Sequence, residues 1–135
     1  MRLLLVLTLI FLTIQGWFGD TVNLFAVPSG PVTVDASLGS ILTAVVNVGP
    51  TLIIHAFIGL AILALALVVL TFSLKSKPRS VQIPSILGLI MVISAIIGGT
   101  LFVLSGFSNN GVSAQMGGSF IGAYAFYFIE LYYAK

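Results

Sequence analysis

Four apolar runs, separated by short polar or proline-bearing breaks, set the organisation of this chain. The clearest is Pro50 to Leu74, which holds one histidine and no Asp, Glu, Lys or Arg. As a helix it covers roughly 36 Å, against ~30 Å for a bilayer's hydrocarbon core. Pro50 suits a first helical turn, where a missing N–H costs nothing, and Lys75 closes the run. Leu3 to Gly19 precedes it behind Arg2; Val81 to Phe107 and Gly118 to Ala134 follow. The pattern predicts an all-α, polytopic membrane protein forming one domain. Its four transmembrane helices, over about 3–19, 50–74, 81–107 and 118–134, make two hairpins.

The breaks carry their own signals. Asp20 to Ala36 contains Pro28-Ser29-Gly30-Pro31, which reads as a turn. After it, Val32 and Val34 alternate with Thr33 and Asp35, the pattern of a short extended piece. Ser37 to Val48 has helical periodicity, with an apolar stripe at Leu38, Ile41, Leu42 and Val45 and a polar one at Ser40, Thr43 and Asn47. Gly49-Pro50 interrupts it, because a residue before proline resists the helical region. This predicts a short amphipathic helix in the outer interface, or a re-entrant half-helix, leading into the second span. Lys75 to Ser80 is a tight basic loop, and Ser108 to Gly117 reads as a polar, uncharged one.

Composition sharpens the reading. Of 135 residues, 59% are hydrophobic and only 6% charged, far below the quarter that keeps a soluble domain's surface wet. Lipid must therefore be the solvent. Cysteine is absent, which excludes disulfides, thiolate metal sites and cysteine nucleophiles. The net charge of +2 is a topology signal rather than a mark of nucleic-acid binding. All five basic residues, Arg2, Lys75, Lys77, Arg79 and Lys135, lie at chain ends or in one loop. Placing them in the cytoplasm puts both termini inside the cell membrane and Asp20 and Asp35 outside. The first run also resembles a signal peptide, but Ile14-Gln15-Gly16-Trp17 offers no small-x-small cleavage site. Trp17 and Phe18 read instead as interfacial anchors of a retained helix.

Helix packing in lipid relies on close backbone approach. The third span carries Ser94-x-x-x-Gly98 and Ala95-x-x-x-Gly99, and the fourth Gly118-x-x-x-Gly122 and Ser119-x-x-x-Ala123. These stripes predict a tight hairpin of spans three and four, or a homodimer face. His55-Ala-Phe-Ile-Gly59 echoes Gly118-Ser-Phe-Ile-Gly122, the trace expected of a duplicated hairpin.

Candidate chemistry is sparse. His55 lies ~8 Å below the outer end of its helix, where an ionisable group should face the bundle and find a partner. Gln15, Ser105, Ser119, Tyr124 and Asp20 are at suitable depth. Two readings stand: a neutral histidine tying helices together, or a contact to haem b or a quinone. Bis-histidine haem cannot form within one chain that has a single histidine. Glu130 lies in the opposite leaflet, with Lys75, Lys77, Arg79 and Lys135 as expected partners. Met91 reads as packing, and Asn109, Asn110 and Gln115 as solvated loop residues. No phosphate loop, catalytic carboxylate pair, Ser/His/Asp set or metal-ligand cluster occurs, so an enzyme is not expected.

Asn23-Leu24-Phe25 after the first helix, His55-x-x-x-Gly59 in the second, and Ser119-Phe120 in the fourth resemble small prokaryotic four-helix integral membrane proteins of uncharacterised role. A histidine near a helix start is also similar to haem-binding bundles such as the heme A synthase family, although there histidines recur in several helices. The expectation is a non-catalytic accessory subunit, surrounded by the lipid bilayer and packed against other membrane subunits or itself. Electron transfer through His55 is the alternative.

Overall fold

A computed structural model describes residues 1–25, 37–76 and 78–134. Its elements are the helices α1 (Arg2–Phe25), α2 (Leu38–Val48), α3 (Pro50–Lys75), α4 (Arg79–Leu104) and α5 (Asn110–Tyr133). The expected turn at Pro28–Pro31, the extended piece around Val32–Val34, and the charges of Asp35, Lys77 and Lys135 lie outside the described residues.

Helices α1, α3, α4 and α5 form an up-down-up-down ring. Each packs on its two antiparallel neighbours, and α4 with α5 makes the most extensive contact. The core runs along the axis through Leu5, Leu9, Leu12, Ile62, Ala66, Val69, Val92, Ala123 and Tyr127. Large apolar side chains such as Leu3, Ile10, Phe57, Ile97 and Phe128 face outward. Three of the helices, α1, α3 and α4, are long and apolar enough to cross a membrane. The fourth predicted span is not among them. At 24 residues α5 has the length, but Asn110, Gly111, Ser113, Gln115, Gly117, Gly118 and Ser119 dilute its first half.

Exposed threonines are reconciled with such a surface by their own backbone. Thr13, Thr71 and Thr100 each donate to the carbonyl four residues earlier, at 2.8–3.0 Å, as do Thr21, Thr43 and the buried Thr8.

Two stretches read as loops are helical. Residues 20–25 extend α1, and 110–117 open α5, with the Asn109 side chain accepting from the Val112 N–H at 3.2 Å. They hold each other: Val22 is buried, and Ser113 Oγ donates to Asn23 Oδ1 at 3.0 Å. The partner for each lies some ninety positions away, so neither extension is visible locally.

The junctions follow glycine chemistry. Gly49, at φ 118° and ψ −176°, breaks α2 from α3 in a conformation L side chains avoid. The end of α4 is a Schellman motif. Phe107 N–H reaches Phe102 O and Gly106 N–H reaches Val103 O, both at 3.0 Å, while the Phe102 and Phe107 rings meet edge to face at 5.7 Å. Pro84 is tolerated early in α4, because the carbonyl it leaves unpaired belongs to exposed Ser80.

Helix α2 packs on α3 and α4. Its inward stripe is Ile41, Ala44, Val45 and Val48, while Leu38 and Leu42, expected on that stripe, are exposed with Val46. A bundle-facing side and an outward apolar side therefore coexist on this short helix.

The echo between α3 and α5 does not extend to burial. In that register, buried Ile62 and Ala66 correspond to Ala125 and Ile129, which are exposed, and exposed Phe57 corresponds to packed Phe120.

Candidate functional site

Polar side chains concentrate at the two ends of the bundle, separated by the apolar core. At the end where α3 begins, the Gln15 amide nitrogen lies 3.2 Å from His55 Nε2. With the amide donating, the imidazole accepts at Nε2 and carries its proton on Nδ1. Glycines make the space. A β-carbon on Gly19 would lie 3.2 Å from His55 Cε1, and one on Gly59 3.2 Å from Gln15 Nε2. Gln15 Oε1 and His55 Nδ1 are buried without hydrogen-bond partners.

The other candidates at this depth go elsewhere. Ser105 Oγ caps α4 through Phe102 O at 2.7 Å, Asp20 and Tyr124 are exposed, and Ser119 belongs to a second cluster. There Gln115 Nε2 lies 2.7 Å from Ser94 Oγ, 3.2 Å from Ser94 O and 3.0 Å from Ser119 Oγ, and the two serines are 3.0 Å apart. Gln115 thus lies in α5 rather than in a loop and, while still exposed, clamps α5 to α4. Gly98 admits it: a β-carbon there would strike the Gln115 carboxamide oxygen. Gly99 faces Met116, and Gly122 faces Met91, whose Sδ would be 3.0 Å from an added β-carbon. Ala95 is half-buried on α4. Gly118 departs from its predicted packing role, being exposed with no atom within 4 Å of where its β-carbon would be.

The opposite end holds Glu130, fully buried. Its expected basic partners among the described residues do not reach it. Lys75 and Arg79 are exposed, and the Lys75 ammonium sits 6.0 Å from the Phe72 ring centroid on the outside of α3. The reason is steric: the carboxyl group points into the ring of helices and the cations sit at its rim. Instead Ser73 Oγ contacts Glu130 Oε1 and also lies 2.9 Å from Val69 O and 3.6 Å from Met1 Sδ. Ser85 lies against the same carboxyl without closing a hydrogen bond, and Tyr127 stands one turn earlier on α5. Ser73, Ser85, Tyr127 and Glu130 are all buried, and Ser85 Oγ, Tyr127 OH and Glu130 Oε2 have no hydrogen-bond partner.

Sequence reasoning missed this cluster. Tyr127 and Glu130 share a helix face by spacing, and Ser73 and Ser85 flank the basic loop that fixes their depth, so the signal was present.

No group of three or more His, Cys, Asp and Glu side chains is placed to hold a metal among the described residues. Nor does His55 fit a haem. An axial ligand needs a ring nitrogen with open space before it, but Nε2 faces Gln15 and Nδ1 is sealed inside the bundle. No family model matches the chain, and comparisons with curated proteins and with solved structures give no significant match.

Proposed function

We propose that this chain is a non-catalytic subunit of the cell membrane, acting by helix packing against other membrane subunits or a second copy of itself. In this reading α5 is the fourth span, both termini are cytoplasmic, and α2 lies at the outer face. The carrying observation is the outward side of α5. Gly111, Ala114, Gly118, Ile121 and Ala125 recur there at helical spacing and are all exposed. So smooth a face on the least apolar long helix gains little from lipid and suits a neighbouring backbone. Purification in mild detergent with cross-linking tests this. A complex or homo-oligomer weakened by Gly118→Leu is expected, and a stable lone monomer would sink the reading.

The orientation rests on Arg2, Lys75 and Arg79 sharing one end of the ring while Asp20 lies at the other.

A quinone reading rests on His55 alone, whose protonated Nδ1 could donate to a quinone carbonyl only if the helices part to expose it. It requires quinone to co-purify with the protein and to be lost in His55→Ala.

A further inference from the structure

At the end of the bundle that carries Lys75 and Arg79, three acceptors surround one hydroxyl proton. Ser73 Oγ touches Glu130 Oε1, lies 2.9 Å from Val69 O and sits 3.6 Å from Met1 Sδ, yet its hydroxyl holds a single hydrogen. Val69 O can only accept. With the Ser73 proton on Val69 O, the contact to Glu130 is a hydrogen bond only if the carboxyl group supplies a proton of its own. With the Ser73 proton on Glu130 instead, a full negative charge stands on a side chain with no exposed surface, held by one hydroxyl and with Oε2 unpartnered. An unpaired charge in an apolar interior is much the costlier arrangement. Nothing at this end offers to pair it among the described residues. Arg2 on α1, Lys75 on α3 and Arg79 on α4 are exposed, Met1 meets Ser73 through its thioether, and α5 contributes only Tyr127, Tyr132 and Tyr133.

We propose that Glu130 is a proton-binding latch: the closed bundle holds it as a neutral carboxylic acid donating to Ser73 Oγ, which donates on to Val69 O, and loss of that proton releases the last turn of α5. The movable element is small. Glu130 stands three residues before the end of α5, about 5 Å along the axis, so unwinding that turn carries the carboxylate to water and to the cations at the rim. The turn is held shut by buried Ala134, whose N–H donates to Glu130 O at 2.8 Å, and by Leu131 against the core. Tyr127, one turn earlier, stays packed over Gly88. The proton is bound on closing and passes to water on opening, so this end tightens as pH falls and loosens as pH rises.

The chain has only three Asp and Glu residues, so infrared spectra resolve its protonation directly. In an ester-free detergent at neutral pH, the native chain should show a protonated carboxyl band that is absent in Glu130→Gln and displaced in Ser73→Ala. Ionised carboxylate bands alone, or a protonated band that survives Glu130→Gln, would overturn the latch. Thiol labelling of the detergent-purified protein reads the opening, since the chain has no native cysteine. The rate for Ala134→Cys is divided by that for exposed Ser80→Cys, so that thiolate formation cancels. This ratio should rise by about tenfold from mildly acid to mildly alkaline medium, and stay low in Glu130→Gln, which keeps the shape of the neutral acid. A ratio indifferent to pH, or one that rises equally in Glu130→Gln, would also overturn it. If Glu130→Gln does not fold, the native infrared band, its displacement in Ser73→Ala and the pH response of the native ratio carry the test.

Discussion

Gly88 on α4 lies directly beneath the ring of Tyr127 on α5: a β-carbon there would come 2.8 Å from Tyr127 Cζ and 2.9 Å from Cε1. The ring is fully buried and cannot swing away as a flexible chain would. Gly88→Ala should therefore destabilise the folded bundle by about 1–3 kcal/mol, the usual range for overpacking. Unfolding in mixed micelles measures it, and in a Tyr127→Ala background the same Gly88→Ala exchange should cost less. A neutral Gly88→Ala would mean that the α4–α5 spacing is wrong.

His55 and Gln15 should behave as a coupled pair. Gln15→Leu leaves the imidazole without its partner, and His55→Ala does the same to the carboxamide. A double-mutant cycle is expected to give a coupling of roughly 0.6 kcal/mol, the average for polar contacts between membrane helices. Strict additivity would show that the 3.2 Å contact holds nothing.

At the α4–α5 turn, backbone and side-chain contributions separate cleanly. Gly106 has φ 63°, so Gly106→Ala should lower stability by about 1 kcal/mol. Phe107 also has φ 63°. Phe107→Gly relieves that strain but removes the edge-to-face contact with Phe102, worth ~0.5–1.5 kcal/mol. The glycine variant should therefore come out near neutral, and Phe107→Ala, which keeps the strain and loses the ring, clearly worse. Unfolding midpoints of the three variants, compared side by side, decide it.

Orientation is open to direct labelling. Ser80 and Ser108 are both exposed, one at the start of α4 and the other just before α5. In a chain without native cysteine, Ser108→Cys should react with an impermeant thiol reagent on intact cells. Ser80→Cys should react only after lysis. The reverse pattern would invert the proposed topology.

Much of this was legible from local signals. Gly49-Pro50 marked its break because a proline restricts the residue before it, and the bounds of α3 followed from one uninterrupted apolar run ending at Lys75. Hydropathy and charge also sufficed to separate His55 from Glu130, which lie at opposite ends of the ring. What escaped depended on partners distant in sequence. Residues 110–117 look like a loop until Asn23 and Ser94 are brought against them, and nothing local shows that Gln115, though exposed, reaches Ser94 across the gap that Gly98 leaves. Gly118 fitted a small-residue spacing that fixes which residues share a face but not which face turns inward. Glu130 was assigned cationic partners by charge alone, whereas burial decided in favour of hydroxyls.

The threonine hydroxyls closed onto their own helices separate the polar residues by substitution tolerance. A hydroxyl that bonds the carbonyl four residues back makes no demand on any neighbour, so Thr13, Thr71 and Thr100 can become valine with almost unchanged shape and little effect on the bundle. The side chains that bond between helices in the described residues are Ser73, Ser94, Ser113, Ser119, Gln15, Gln115, Asn23, His55 and Glu130. Random mutagenesis should therefore draw a sharp line. Threonines drift freely toward aliphatic residues, while the serines and carboxamides resist the same exchange, although a hydropathy scale ranks the two groups side by side.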